Sequence, residues 1–312
     1  MKKEFKLLST LFITLCSTLL HAAPRELDVL IVLGAPGTEE YGKKFKTQVD
    51  AWTNACTKAD ITPAVVRGEK TTEELEKRLT ASDPAHSLWL VLIGHGTFDG
   101  REAKFSAEGP DFDAKQLAEW IKPLKQEVAV IHTASASGGF LKPLSGKNRV
   151  IITATKSPDE VFYARFGEYF AEAVGGLPEA DLDQDKQVSL LEAFRHASKA
   201  TATFYENDGR LATEHSILED NGDGVGTRSE VFGSDAPVPA GMAVDGARAA
   251  QMVLVLSAEE QQLTDAQRST RDALERELKT LKEQRAKLKE DDYYTKLESL
   301  LRKLGEVYGT KS

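Results

Sequence analysis

The chain has 312 residues, of which 41% are hydrophobic and 29% are charged, and its formal net charge is -9. This length and apolar content are sufficient for one sizeable α/β domain with a smaller appendage. The acidic balance, and the lack of a basic stripe that could follow phosphates, argue against a nucleic-acid partner.

The first residues have the pattern of an export signal. Three lysines precede an apolar stretch from Leu7 to Leu20, and the small residues Ala22 and Ala23 follow it. A charged start, a short apolar centre and small residues at a cleavage point are typical of secretory signals. The stretch is too short and too rich in Ser and Thr for a membrane span. We therefore expect a signal peptide over 1–23, no integral span after its removal, and a periplasmic or secreted protein. An uncleaved anchor is the alternative.

The two cysteines of the chain cannot provide the disulfide that often stabilises an exported protein. Cys16 lies in the predicted signal, which leaves Cys56 as the sole cysteine of the mature chain. An intramolecular disulfide is therefore impossible, despite an oxidising destination. We expect Cys56 to be a small buried apolar residue, and we expect a large core, together with metal ions, to stabilise the fold.

Buried strands alternate with helices along the middle of the chain. Largely apolar runs predict strands at Leu27–Gly34, Ile61–Val66, Ser87–Ile93, Glu127–His132 and Arg149–Ala154. The segments between them predict helices at Glu40–Ala59, Thr71–Leu79 and Asp113–Leu124, and a hairpin within Thr97–Ala107. The alternation implies an α/β fold with a mostly parallel sheet covered on both faces. Ligands of such sheets bind beyond the carboxyl ends of the strands.

The last part of the chain has a different pattern. Residues 233–246 are rich in Gly, Pro and Ala, which is typical of a linker or surface loop. Gln251–Leu256 predicts a sixth strand, and Ser257 with Glu260 resembles a capping box at the start of a long helix. We divide the chain into a signal over 1–23, an α/β domain over 24–245, and a C-terminal strand and helical segment over 246–312.

Two apolar stripes mark the C-terminal helices. They consist of Leu274, Leu278, Leu281 and Leu288, and then of Tyr294, Leu297, Leu301 and Leu304. Two heptads are too few for a convincing long coiled coil. We expect a helical hairpin or a short coiled coil, and self-association through these helices remains an open alternative.

Two small-residue motifs follow neighbouring predicted strands. The third strand runs into Gly94-His95-Gly96, and the fourth runs into Ala134-Ser135-Ala136-Ser137-Gly138. The glycines let the backbone turn sharply and leave the imidazole exposed at the edge of the sheet. This arrangement resembles the caspase- and legumain-like cysteine peptidases. The resemblance implies a caspase-like three-layer sandwich, with His95 as the catalytic histidine and the N–H groups of Gly96 and Ser135 as oxyanion donors.

The chain departs from these peptidases at the nucleophile, where Ser135 replaces their cysteine. A thiol with a pKa of about 8.5 is partly ionised at neutral pH, whereas a hydroxyl needs a base in hydrogen-bond contact. Caspase-like sites hold cysteine and histidine rather far apart, so we expect the replacement to remove most activity. We therefore expect an inactive homologue that acts in binding or scaffolding, with a peptide or protein as a possible ligand. The alternatives are a serine-dependent peptidase or esterase that uses Ser135 and His95, and a calcium-stabilised structural protein with a vestigial cleft.

Asp159 and Glu160 follow the fifth strand, where related peptidases shape a substrate pocket. These carboxylates are candidates for reading a basic or amide side chain of a bound peptide. The preferred alternative is a helix start, with Ser157 as the N-cap, Pro158 as the first helical residue and Glu160 completing a capping box.

The first of two acidic loops resembles an EF-hand calcium site. Its candidate Ca²⁺ ligands are Asp181, Asp183, Asp185, Gln187 (through its backbone oxygen), Ser189 and Glu192. A predicted helix, Leu190–Tyr205, follows in the expected place. Lys186 stands where glycine normally supplies the sharp turn, which costs about 1 kcal/mol if its backbone is left-handed. We expect a half EF-hand that binds Ca²⁺ at millimolar concentrations; an acidic loop without metal is the alternative.

The second acidic loop has a weaker match to the same pattern. Its candidate Ca²⁺ ligands are Glu219, Asn221, Asp223 and Glu230. No exit helix is evident, so a turn shaped by Asn, Asp and Gly is an equal alternative. The surrounding run, Leu211–Gly226, resembles a loop of bacterial legumain-like proteins.

Overall fold

The protein is described by a computed structural model that covers residues 26–232 and 243–309. A seven-stranded sheet forms its centre, in the order β10-β9-β8-β7-β3-β1-β2, and a small antiparallel sheet, β4-β5-β6, lies beside it. The strands are β1 (Leu27–Leu33), β2 (Ala64–Val66), β3 (Ser87–Ile93), β4 (Gly96–Phe98), β5 (Ala103–Phe105), β6 (Phe112–Asp113), β7 (Val128–His132), β8 (Arg149–Thr153), β9 (Ile217–Glu219) and β10 (Thr227–Arg228). Five neighbouring strands of the large sheet pair in parallel, and β9 pairs antiparallel with both β8 and β10.

Helices cover both faces of the large sheet. They are α1 (Glu39–Lys58), α2 (Thr71–Thr80), α3 (Ala114–Ile121), α4 (Gly138–Leu144), α5 (Phe166–Ala173), α6 (Leu190–Asn207), α7 (Asp265–Glu283) and α8 (Glu290–Val307). One core joins alternate strand residues to α1, α5 and α6, and a second core joins the intervening residues to α2, α3 and α4. Because both faces are packed, the central strands are apolar at nearly every position. The predicted three-layer α/β sandwich with a mostly parallel sheet is confirmed.

The sequence located the central elements but missed several short ones. All five predicted strands, the three early helices and the hairpin are present, the hairpin as β4 and β5. The helix predicted after the first acidic loop is present as α6. Cys56 is fully buried, as expected, and burial raises the pKa of its thiol to about 11. The strands β9 and β10 and the helices α4 and α5 have no counterpart among the predicted elements.

The sixth strand predicted at Gln251–Leu256 is wrong. Residues Ala249–Gln251 form a 3-10 turn, and Val253 forms an isolated antiparallel bridge with Ser189 outside the named strands. The segment pairs instead with the first acidic loop, where the N–H of Leu190 donates to the carbonyl of Met252 at 2.8 Å.

The start predicted for the long C-terminal helix is also wrong. Ser257 Oγ accepts from the N–H of Glu260 at 3.3 Å, but this contact opens only a 3-10 turn over Glu260–Gln262. The long helix, α7, begins instead at Asp265, and its N-cap Thr264 forms a capping box with Gln267.

The C-terminal helices form the predicted hairpin. Leu274 and Leu281 of α7 pack against Tyr293 and Leu300 of α8. The second predicted stripe is rotated by one residue, because Tyr294 and Leu301 are 48% and 51% exposed. A 3-10 turn over Arg285–Lys287 joins the two helices, and this connection sets the rotation of α8.

A buried ion pair attaches the hairpin to the rest of the fold. The Arg271 guanidinium contacts the carboxylate of Glu260 and lies 2.7 Å from that of Asp272. The hydroxyl of Tyr308, at the end of α8, donates to Glu260 at 2.6 Å. Both ends of the hairpin therefore meet at one buried carboxylate.

Membrane and targeting predictions have different outcomes. Across 26–232 and 243–309, none of the helices has the length and apolar character that crossing a membrane requires. The predicted signal over 1–23 lies outside the described residues, as does most of the predicted 233–246 linker. The domain boundaries stay predictions.

Candidate functional site

The two predicted motifs meet at one edge of the sheet. Strands β3 and β7 are parallel neighbours, with Leu92 opposite His132. The chain beyond each strand therefore enters the same region, which brings Ser135 against Gly96. The Cβ position of Gly96 is only 2.1 Å from the carbonyl oxygen of Ser135, so glycine alone permits this approach.

The Ser135 hydroxyl is held by the backbone of Gly96. Ser135 is 3% exposed; its Oγ donates to the Gly96 carbonyl at 3.0 Å and accepts from the Gly96 N–H at 3.1 Å. The single hydroxyl proton is thus donated to a backbone carbonyl. The N–H predicted as an oxyanion donor is itself occupied by the hydroxyl that would attack.

His95 is a half-buried imidazole in an aromatic setting. Its Nε2 lies 3.3 Å from the carbonyl oxygen of Pro36, and the rings of Tyr41 and Phe45 pack edge-on at 4.7 and 5.0 Å. A carbonyl only accepts, so we assign the proton to Nε2 and the lone pair to Nδ1. Burial lowers the pKa of His95, which keeps the ring neutral at pH 7. The ring is therefore able to take up a proton at Nδ1.

The residue after Ser135 has a strained backbone. Ala136 has a φ of 54°, a left-handed conformation that costs about 1–2 kcal/mol for a residue with a Cβ. Its N–H donates to the carbonyl of Glu160 at 2.8 Å, which ties this turn to the segment that follows β8. Strain of this kind concentrates at functional sites.

The carboxylate of Glu160 has structural partners. It accepts from the N–H groups of Lys156 and His215 at 3.0 and 3.1 Å, and it lies 2.5 Å from His215 Nδ1. The predicted capping box is wrong, because residues 157–159 form a turn and α5 begins only at Phe166. Asp159 is exposed and stays a candidate for contacts with a ligand.

Several contributors to this region were not predicted. Pro36, Tyr41 and Tyr163 surround His95, and His215 pairs with Glu160 from 55 residues away. Nothing in the local sequence signals these roles, because each depends on which loops the topology brings together.

The first acidic loop brings three carboxylates together. Oxygen atoms of Asp181, Asp183 and Asp185 lie within 4.8 Å of one another, and no other such group of three His, Cys, Asp or Glu residues occurs in the part of the chain that the structure covers. Burial, and then the nearby carboxylate of Glu192, raise the pKa of Asp183. Lys186 has a φ of 69°, the left-handed conformation for which the sequence predicted a cost. Like charges held this close favour a bound cation.

The remaining candidate ligands of this loop also serve the start of α6. Ser189 and Glu192 form the capping box of the helix, and the second oxygen of Glu192 accepts from the N–H of Leu182 at 2.8 Å. The side-chain oxygen of Gln187 accepts from the N–H of Ser257 at 3.1 Å. A 3-10 turn, Pro178–Ala180, stands where an EF-hand has its entering helix.

The second acidic loop joins β9 to β10. Glu219 is fully buried, and its Oε1 accepts from the N–H of Gly222 at 2.5 Å. Asn221 Oδ1 accepts from the N–H of Asp223 at 2.9 Å, within the same turn. Glu230 is exposed and pairs with Arg228 at 2.8 Å. The structure thus gathers Glu219, Asn221 and Asp223 in one turn, while Glu230 faces solvent.

Residues 44–218 match the family model of the peptidase C13 family, the legumain family, which is more than half of the chain. The chain belongs to the peptidase C13 family. The expected membership of the caspase- and legumain-like clan is confirmed, and the matched range of the C13 model includes His95 and Ser135.

The curated proteins and the solved structures add nothing to this family assignment. No match was found among the curated proteins. Among solved structures, caspase-1 from Spodoptera frugiperda is similar at 10% identity and a TM-score of 0.42, over 63% of this chain and 87% of that chain. That likeness is too distant to support any argument about function.

Proposed function

We propose that this C13-family protein is an exported, non-catalytic peptidase homologue whose cleft binds a peptide or protein without cleaving it. The observation that carries the proposal is the pair of hydrogen bonds between Ser135 Oγ and the backbone of Gly96. The attacking atom and an oxyanion donor satisfy each other, so neither is ready for a substrate.

Releasing the hydroxyl has a substantial free-energy cost. Rotation of Ser135 leaves two buried backbone groups of Gly96 without a partner, at about 1–3 kcal/mol for each group. The freed hydroxyl still needs contact with His95, because serine is not ionised at neutral pH. A cysteine does not depend on that contact to the same degree.

The surface beside the cleft supports a role in binding. Val161 and Phe162 are 46% and 66% exposed, and they directly follow Glu160, whose carbonyl accepts from Ala136. Exposed apolar side chains at the rim of a cleft provide contact area for a ligand. Export to the periplasm or beyond is supported by the N-terminal pattern of three lysines and an apolar stretch.

Peptide and ester libraries test the absence of catalysis. We expect the wild type and Ser135→Ala to hydrolyse nothing above background, and we expect Ser135→Cys to gain turnover. A second variant, Ser135→Cys with His95→Ala, controls for chemistry that does not use the cleft. Turnover in the wild type that disappears in Ser135→Ala would overturn the proposal and identify a serine hydrolase.

The serine-hydrolase alternative has one observation in its favour. The contact with Pro36 leaves Nδ1 of His95 as a proton acceptor, which is the state a general base requires. In that reading His95 takes the Ser135 proton as the hydroxyl attacks an acyl carbon. The same substrate assay separates the two functions.

We also infer that the first acidic loop binds Ca²⁺. The convergence of Asp181, Asp183 and Asp185, with Glu192 behind them, supports a site for a hard cation with oxygen ligands. We expect a rise in Tm with millimolar Ca²⁺ that Asp183→Asn reduces. If calcium stabilises the protein and no ligand binds the cleft, the structural alternative with a vestigial cleft is the better description.

Self-association through the C-terminal hairpin is part of the same proposal. The half-exposed faces of Tyr294 and Leu301 lie one heptad apart on α8 and support contact with a second copy. Sedimentation equilibrium tests this, with Leu301→Glu expected to shift the protein to the monomer. An identical mass for both proteins would remove the self-association claim.

A further inference from the structure

The strongest unexplained feature outside the cleft is a buried carboxylate oxygen. Glu219 is 0% exposed, and within the described residues its Oε2 has no hydrogen-bond partner. The other oxygen accepts from the N–H of Gly222 at 2.5 Å, which points the carboxylate into the turn between β9 and β10. An unpartnered buried carboxylate is costly unless a cation or another donor compensates it.

The elements around Glu219 identify what faces it. Glu219 lies opposite Ile151 of β8, so both side chains project from the same face of the sheet. Ile151 packs in the core that includes Leu141 and Leu144 of α4. The carboxylate therefore projects toward the layer that contains α4.

A second buried oxygen without a partner lies at the end of that helix. Ser145 is the C-cap of α4, and its Oγ has no hydrogen-bond partner among the residues described. The turn reaches the same place, since the Cβ position of Gly222 is 3.4 Å from the carbonyl carbon of Gly146. Two unsatisfied oxygens thus belong to chain segments that are in contact.

We propose that Glu219 anchors a buried cation site between the β9–β10 turn and the end of α4, and that this site takes a hard divalent cation such as Ca²⁺. The ligands are oxygen atoms of Glu219 and Ser145, completed by Asn221 and Asp223 of the turn. Carboxylate, hydroxyl and amide oxygens are the donors that Ca²⁺ prefers, whereas zinc favours nitrogen and sulfur. This site differs from an EF-hand, because Glu230 is exposed and takes no part in it.

The position of the site links it to the cleft. Helix α4 starts at Gly138, three residues after Ser135, and ends beside the cation. A cation at Glu219 therefore fixes the far end of the helix that supports the Ser135 turn. The inference does not depend on the first acidic loop or on whether the cleft is catalytic.

Calcium titration of the full chain tests the proposal. Asp181→Asn, Asp183→Asn and Asp185→Asn remove Ca²⁺ binding by the first acidic loop, and we call this triple variant the silenced background. Asparagine keeps the side-chain oxygens that cap the local turns. In this background we expect Ca²⁺ at a hundredfold excess over its Kd to raise Tm by roughly 5–10 °C. Adding Glu219→Gln should abolish the rise, and in chelator its Tm should equal or exceed that of its parent, because a buried charge has been removed.

Two further variants decide the geometry. Glu230→Gln is the matched control in the same loop, and it should leave the Ca²⁺ response unchanged. Ser145→Ala should raise the Kd, and an unchanged Kd would overturn the placement at the end of α4. The whole proposal fails if the silenced background shows no rise, which would mean that the turn needs no cation. It also fails if Glu230→Gln abolishes the rise while Glu219→Gln preserves it, which would restore an EF-hand geometry.

Discussion

The buried imidazole of His132 makes the stability of this fold depend on pH in a defined direction. His132 ends β7 and is fully buried, with the ring of Phe140 packed edge-on at 4.5 Å. Its Nδ1 accepts from the N–H of Ala134 at 3.4 Å, and its Nε2 is without a hydrogen-bond partner in the described ranges. Burial lowers the pKa of His132 to about 3.

The sign of the effect follows from proton binding in the two states. An unfolded histidine has a pKa of about 6.5, so between pH 6.5 and 3 the unfolded chain binds a proton that the native protein does not. Each pH unit in this window lowers the free energy of unfolding by about 1.4 kcal/mol. The contribution of His132 is complete above pH 6.5, and roughly 5 kcal/mol is lost by pH 3.

Urea unfolding of the wild type and His132→Leu from pH 7.5 to pH 4.5 measures this term. Leucine leaves the N–H of Ala134 unpaired, which we expect to lower stability at pH 7.5 by about 1–3 kcal/mol. The gap should then narrow by about 3 kcal/mol between pH 6.5 and pH 4.5, because only the wild type loses stability through this residue. Carboxylates titrate in both proteins and cancel in the difference.

His86→Gln is the control with the opposite sign. His86 is half-buried, and the hydrogen bond to Asp28 raises its pKa, so its contribution is present below about pH 6.5 and is lost as the pH rises. Parallel stability curves for the wild type and His132→Leu would refute the assignment of a buried, neutral His132.

Three other substitutions test features of the fold, each by the shift of the urea midpoint at constant m-value. Ala136→Gly should be neutral or stabilise by up to about 1 kcal/mol, since it relieves the left-handed backbone at the price of a more flexible unfolded chain; a clear loss would show that the Ala136 methyl group packs usefully. Arg271→Met should destabilise by about 3–5 kcal/mol because Glu260 stays buried without its partner, and a change below 1 kcal/mol would show that the pair is solvated. Gly96→Ala should destabilise by about 3 kcal/mol or more through the contact with Ser135, whereas Gly100→Ala, with open space around it and a φ of 89°, should lose only about 1–2 kcal/mol; equal losses would contradict the close approach.

The sequence predicted the central sheet because its strands are buried on both faces. Runs such as Ser87–Ile93 and Val128–His132 are apolar at nearly every position, a pattern that few other structures produce. The edge strands β9 and β10 have three and two residues, which is too short for any periodicity to register. Because these strands were not predicted, the sequence did not indicate that Glu219 is a strand residue with its side chain in the core.

The rotation of α8 about its axis shows a second limit of prediction from sequence. Tyr293 and Tyr294, like Leu300 and Leu301, are adjacent residues of the same type, so either pair completes a heptad with Leu297 and Leu304. The sequence alone gives both faces equal weight. The turn from α7 decides between them, and its geometry depends on contacts of the folded hairpin.

The sequence predicted which residues form the candidate cleft, but it did not predict the hydrogen bonds between Ser135 and Gly96. Two glycines around His95 and a small-residue turn after the next strand were sufficient to locate it. The bonds between Ser135 and Gly96 join residues 39 apart, and they depend on the backbone angles of both loops. Residue type and spacing do not determine those angles.

The chemistry of the two nucleophiles is the reason we expect the same cleft to be inactive with serine and active with cysteine. A hydroxyl is a strong donor and acceptor, and at 3.0 and 3.1 Å it satisfies both backbone groups of Gly96. A thiol is a weak donor and a weak acceptor with a larger atom, so it gains little from the same position and leaves the Gly96 N–H free for an oxyanion. The hydrogen bonds that stabilise the serine form are therefore the ones that withdraw it from reaction. The contacts of the neutral His95 with Pro36 and with the neighbouring aromatic rings do not involve residue 135. Exchanging serine for cysteine therefore leaves these contacts unchanged. The proposed loss of activity thus depends on one side chain and its two hydrogen-bond partners, Ser135 Oγ and the backbone N–H and carbonyl of Gly96.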